Sequence, residues 1–263
     1  MEVIVNTFGA NFLLISSNNR IRKQADTVTA KASSSSSSSS HSKEKEKIEL
    51  RVCTNRTCRK QGSLDVLQIL TGIAPPYVSV TSCGCLGRCG SGPNIVILPE
   101  AVFVGHCGTP SKAANVMSIV CGVDDDGGEK KCLEALALRK RAEDETRRGD
   151  FSKAHTLLSQ ALDLKPFGGV HIIYKDRSAA RLAMGDINGA LEDAKEALTL
   201  ARYYPEASAY ICEGDVLMAM DQYDAAQESY SIALDLDPSI RRSKSFKARI
   251  AKLREKLAPA DMR

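Results

Sequence analysis

A small α+β domain followed by an all-α solenoid is the fold the sequence predicts, on three observations. Short β-patterned runs alternate with helical ones over residues 46–122. A charged, Gly-containing stretch interrupts the chain after them. Residues 133–263 carry no strand signal and repeat one helical pattern every 36 residues.

Ile48, Leu50 and Val52 alternate with Glu49 and Arg51, the period of a half-buried strand, and Cys53 follows directly. Leu64, Leu67 and Leu70 recur at helical spacing up to Gly72, and Pro75-Pro76 opens a second strand over Tyr77 to Thr81. Asn94 to Leu98 and Val102 to Val104, joined through Pro99, Glu100 and Ala101, read as a hairpin. Thr109-Pro110 supplies the cap and first-turn proline of a helix carrying Ala113, Val116, Met117 and Val120. The run from Asp124 to Lys131 has nothing to bury, which places a flexible linker at 123–132.

Five per cent aromatic residues and no Trp imply modest cores. Net charge is +4, and without the first 32 residues the chain holds 32 basic against 30 acidic side chains, too balanced to draw nucleic acid. No apolar run reaches the length that crosses a bilayer, although peripheral contact with a thylakoid surface stays open. The first 43 residues contain eleven Ser and two acidic residues, with no hydrophobic signal core. That composition predicts a transit peptide and Ser-rich disordered segment over 1–45, and hence a chloroplast stroma location; a plain flexible tail is the other reading.

Nine cysteines without a secretory signal argue for metal or cluster ligation over disulfides. Cys53 and Cys58 leave the end of the first predicted strand, and Cys85 and Cys89 the end of the second. If those strands are parallel and joined by a right-handed crossover helix, all four thiolates meet on one rim of the sheet, the usual ligand set of a [2Fe-2S] cluster. Gly84, Gly87, Gly90 and Gly92 let the second loop bend and offer amides to cluster sulfides. Zinc accepts four thiolates equally well, buried structural cysteines are the plainest alternative, and Cys83 can stand in for Cys85. The spacing of Cys53 and Cys58 does not suit thiol–disulfide exchange. Cys107, Cys121, Cys132 and Cys212 have no partner spacing, and His106 reads as a hairpin residue rather than a ligand.

The runs CTNRTC from Cys53 and CGCLGRCGSGPNIVILPEAVFVGHC from Cys83 resemble the thioredoxin-like ferredoxins and the related peripheral subunit of respiratory complex I, over roughly residues 46–122. The resemblance implies a thioredoxin-like ferredoxin domain whose [2Fe-2S] ligands are Cys53, Cys58, Cys85 and Cys89.

Gly149, Phe151, Ala154, Leu158, Ala161 and Pro166 return as Gly185, Ile187, Ala190, Ala194 and Ala197, with the proline late at Pro205. They return again as Asp221, Tyr223, Ala226, Tyr230, Ala233 and Pro238. These residues resemble three tetratricopeptide repeats over 133–257, capped by a helix with Phe246, Ile250, Leu253 and Leu257 on one face. The resemblance implies a groove that binds a protein client. The chaperone carboxylate clamp of that family falls on Arg139, Glu143, Asp176, Ser208 and Cys212, whose two carboxylates would repel a carboxylate ligand, so the clamp is not expected here. The capping helix is rich in Arg and Lys, which reads first as a solvated face. No nucleotide fingerprint or nucleophile–base pair is present, so no enzyme activity is expected. The sequence thus predicts a plastid accessory or assembly factor using its cluster for electron transfer, redox sensing or cluster delivery. The alternative is a repeat scaffold or co-chaperone whose cysteine domain binds zinc or no metal.

Overall fold

The structure, a computed structural model, describes residues 47–123 and 127–258. The expected transit peptide and Ser-rich segment lie outside the described residues.

Four strands, β1 (Ile48–Cys53), β2 (Val78–Cys83), β3 (Ile95–Leu98) and β4 (Val102–Val104), form one sheet in the order β2-β1-β3-β4. β1 and β2 are parallel and in register from Ile48 opposite Val78 to Cys53 opposite Cys83; the remaining pairs are antiparallel. Period-two alternation explains the sidedness. Leu50 and Val52 are fully buried, whereas Glu49 and Arg51 pair with each other on the open face at 2.9 Å.

Helices α1 (Arg56–Lys60), α2 (Ser63–Ile73) and α3 (Pro110–Cys121) complete this part. The Thr109 hydroxyl accepts the Lys112 N–H, an N-cap of the kind that contributes about 1 kcal/mol. The buried stripe of α2 is Val66, Leu70 and Ile73, while Leu64 is 46% exposed, so the helix is turned from the Leu64–Leu67–Leu70 face expected. Both triplets fit a helical period; the sheet selects the one that includes the β-branched pair.

The helical part consists of α4 (Gly128–Arg148) with α5 (Phe151–Asp163), α6 (Val170–Ala183) with α7 (Ile187–Leu200), and α8 (Ala207–Ala219) with α9 (Tyr223–Leu236). These are three antiparallel hairpins of a tetratricopeptide-like solenoid, closed by α10 (Lys244–Leu257). The first helices of successive hairpins touch one another, α4 with α6 and α6 with α8, and so form the inner wall. Gly149 and Gly185 turn the first two hairpins with φ of +83° and +85°, and Asp221 does so in the third at +59°. Helix crossings are matched in size. Ala142 lies at the repeat position of Ser178 and Gly214, and Leu158 at that of Ala194 and Tyr230, so the largest ring meets the residue with no side chain. A Cβ on Gly214 would stand 2.5 Å from the Tyr230 ring.

The expected linker is helical from Gly128 onward. Cys132 and Leu136 of α4 enter the core that holds Leu50, Leu70, Ile95 and Met117, so α4 belongs to both cores. The C-terminal end of α2 is closed by the repeats. Gly169 N–H donates to Ala74 O at 3.1 Å, and the buried Arg139 guanidinium donates to Gly72 O at 3.4 Å. Of the cations near the cap, Arg249 is bound bidentately to Asp215 at 2.6–2.8 Å; Arg241, Arg242, Lys244, Lys247, Lys252, Arg254 and Lys256 are exposed.

Candidate functional site

Parallel pairing of β1 and β2 carries Cys53 and the loop after Cys83 to the same edge of the sheet. Two thiol pairs stand there. Cys53 and Cys58 are both buried to 1% exposure and interact through their sulfurs. Cys85 and Cys89 are exposed, with sulfurs 3.6 Å apart. Electrostatic interaction of Cys58 with Cys89 links the pairs. Among the described residues, no group of three or more His, Cys, Asp or Glu is gathered around a point that would hold a single metal ion.

Amide donors surround these sulfurs. Gly87 N–H points to Cys85 Sγ at 3.4 Å, and the Asn94 side-chain amide to Cys58 Sγ at 3.6 Å. Burial pushes the Cys53 thiol up, but N–H groups of Asn55 and Leu86 together with Cys58 outweigh it and hold Cys53 below the ordinary thiol value. Burial and the neighbouring Cys53 raise Cys58, and Cys85 raises Cys89. Gly87 takes φ of +78° with open space around it. At Gly92 the need is close approach, since a Cβ would meet Gln61 Oε1 at 2.1 Å and Cys58 Sγ at 3.0 Å.

Cys83 faces Cys53 across the strand pair, is partly buried, and is raised by burial and by Cys53. Cys107 and Cys212 are pushed up to about 11 by burial, so both stay protonated at neutral pH. His106 follows β4 with φ of +56° and ties the second cysteine loop through its N–H to Ser91 O. Sequence reasoning missed α1 and Asn94. Asn94 is 2% exposed and also holds Arg88 O at 2.7 Å; its place between Pro93 and a strand was the available signal.

In the repeats, the positions expected to match a carboxylate clamp are engaged within the chain. Arg139 reaches Gly72 O and lies 3.4 Å from Glu143 and 3.9 Å from Asp176, while Ser208 and Cys212 contact Lys175. Burial pushes Asp176 above the usual carboxylate range, more than Lys175 and Arg139 pull it down. A raised folded-state value means the native chain holds the proton more readily than the unfolded chain, so this group costs stability as pH rises through its folded value. Asp176→Asn should therefore stabilise by about 1 kcal/mol at pH 7, with the gain shrinking as pH falls through the folded value; urea unfolding followed from pH 7 downward measures both.

No family model matches the sequence. Over 90 residues the chain is 32% identical to the STIP1 homolog of Dictyostelium discoideum, a match covering 34% of this chain and 15% of that protein. The chain thus spans far less than two thirds of that relative. Among solved structures, the first TPR domain of human RPAP3 is 21% identical with a TM-score of 0.42, covering 47% of this chain and 92% of that one. The Sgt2 TPR domain from Aspergillus fumigatus is 26% identical with a TM-score of 0.43, covering 49% and 83%. The Arabidopsis OM64 TPR domain is 20% identical with a TM-score of 0.42, covering 48% and 98%.

Proposed function

We propose that this chain is a protein-docking scaffold without enzymatic activity, whose repeats hold a client against their inner wall. The observation that supports it is the wall itself, in which α4, α6 and α8 adjoin one another while α5, α7 and α9 form the outer layer. Such a surface offers extended contact to a partner. A first TPR domain of the protein Spaghetti has been solved with the HSP90 peptide SRMEEVD; a co-chaperone role is the nearest reading of the client. Capture of a terminal carboxylate is not proposed, because Arg139 is turned to Gly72 O and two carboxylates flank it. A photo-crosslinking residue at position 172 of the full chain should capture a partner that one at position 196, on the exposed face of α7, does not. Equal capture from both would defeat this reading.

A second reading concerns the cysteine rim, and the 3.6 Å between Cys85 and Cys89 favours it. Two thiolates on one tetrahedral metal ion with bonds of about 2.3 Å lie roughly 3.8 Å apart, so this pair fits one metal centre without rearrangement. Two adjoining pairs suit a [2Fe-2S] cluster held by Cys53, Cys58, Cys85 and Cys89, which would supply one-electron transfer, redox sensing or cluster delivery to the client. Zinc is the competing occupant. Anaerobically purified protein should contain two irons and two sulfides. Cys85→Ser should lose them and Cys83→Ser should keep them; a single zinc in the parent, or equal loss in both variants, would remove the cluster from the account. We further propose that the chain works in the chloroplast stroma, in line with its Ser-rich, acid-poor first 43 residues. Imaging the full chain fused to a fluorescent protein tests that.

A further inference from the structure

We propose that the free edge of β2 and the cavity beside it form a docking site for an extended, acidic segment of a partner protein, which joins the sheet as a fifth strand. The inference rests on the docking reading above and gives the client its chemistry.

Among the described residues, β2 is the end strand of the sheet. Ile48 N–H donates to Tyr77 O and Thr54 N–H to Cys83 O, which fixes the odd-numbered residues of β2 as those facing β1. In a parallel pair the backbone groups alternate, so the N–H and C=O of Val80 and Ser82, with the C=O of Val78, point away from β1. Val78 N–H already donates to Pro75 O at 2.9 Å, and Pro75 and Pro76 have no N–H. The outward row therefore starts at Val78 O and runs toward Ser82. Such a row is a template for another strand.

Beside it lies a cavity of about 560 Å³ between β2 and the inner wall. Tyr203 and Leu236, 49% and 40% exposed, give it apolar rims. Its basic lining is Lys47, His171 and Lys175, against one carboxylate, Glu206. That carboxylate is already engaged, 3.3 Å from His171 Nε2 and within reach of the Ser208 hydroxyl. Lys175 contacts Ser208 Oγ at 3.4 Å and stands 4.0 Å from Asp176, looser than a direct ion pair. The balance favours an incoming carboxylate.

His171, 6% exposed, lines the cavity beside this carboxylate and so keeps Glu206 occupied within the chain.

The test uses the full chain and a fluorescein-labelled decapeptide of alternating Glu and Val, with an alternating Lys and Val decapeptide as control. The acidic peptide should bind saturably by anisotropy and slow hydrogen exchange at the Val80 and Ser82 amides. Val80→Pro removes an outward N–H and leaves the bonds to β1 in place, so it should weaken binding by about tenfold. Lys175→Glu should weaken it similarly and shift preference toward the Lys peptide; this second variant decides if the first unfolds. Absence of saturable binding, binding unchanged in folded variants, or a β2-dependent dimer by sedimentation would overturn the proposal. If position 172 still captures a partner while the peptide leaves β2 unprotected, only this inference fails and the docking scaffold stands.

Discussion

Gly168→Val is expected to lower the stability of the chain by about 3 kcal/mol, a fall in Tm of roughly 10 °C by calorimetry. A Cβ on Gly168 would lie 2.0 Å from Ile73 O and 3.2 Å from Pro75 N. Those atoms are backbone at the end of α2, so no rotamer change relieves the overlap. The segments must separate, and separation breaks the bond from Gly169 N–H to Ala74 O and draws Arg139 from Gly72 O. The natural control is Gly185→Ala, where φ is +85° but no atom lies within 4 Å of the added carbon. It carries only the conformational penalty of a left-handed residue, about 1 kcal/mol. If both variants lose the same amount, the α2 junction is not sterically tight. If Gly168→Val loses far more, the sheet and repeats share one folding unit through that contact.

The same junction marks where sequence reading stopped. β1 was legible because Glu49 and Arg51 alternate with Leu50 and Val52, and α3 because Thr109-Pro110 combines a cap with a proline whose missing N–H costs nothing there. The three hairpins were legible because Gly149, Gly185 and Asp221 occupy the one backbone position that needs a positive φ. What local pattern could not show was long-range pairing. Arg139 was read as a groove residue, yet its partner is a carbonyl 67 positions earlier in the chain. Gly168 and Gly169 carry no periodic signal, and they are small because α2 ends against them. The stretch before Lys131 lacked anything to bury, which hid the start of α4; Cys132 and Leu136 then join a core built from β1, β2, β3, α2 and α3. At the rim, the four cysteines were placed on one edge by strand order alone. Their division into a buried pair and an exposed pair depends on α1 and on the Asn94 amide, neither of which has a periodic signature.

Arg177→Met is the second substitution expected to act strongly, with a loss of about 3 kcal/mol. Arg177 of α6 binds Asp193 of α7 through two bonds of 2.7 and 2.8 Å and also donates to Ser159 of α5 at 3.2 Å. Asp193 has a side chain only 4% exposed, so losing its main counterion leaves a carboxylate that water cannot reach. Arg181, at 3.3 Å from Asp193, keeps the loss from being larger. The repeat period shows why this position has a polar contact at all. One repeat later, Glu213 and Ser229 occupy the same places and join by a 3.0 Å bond from the Ser hydroxyl. The geometry of the hairpin is thus kept while its chemistry varies, and an apolar pair should serve equally well. Urea unfolding of Arg177→Met, Asp193→Leu and the double variant tests this. The double variant should recover about 1–3 kcal/mol relative to the sum of the singles. Strict additivity would mean that Arg177 and Asp193 stabilise the hairpin independently of each other.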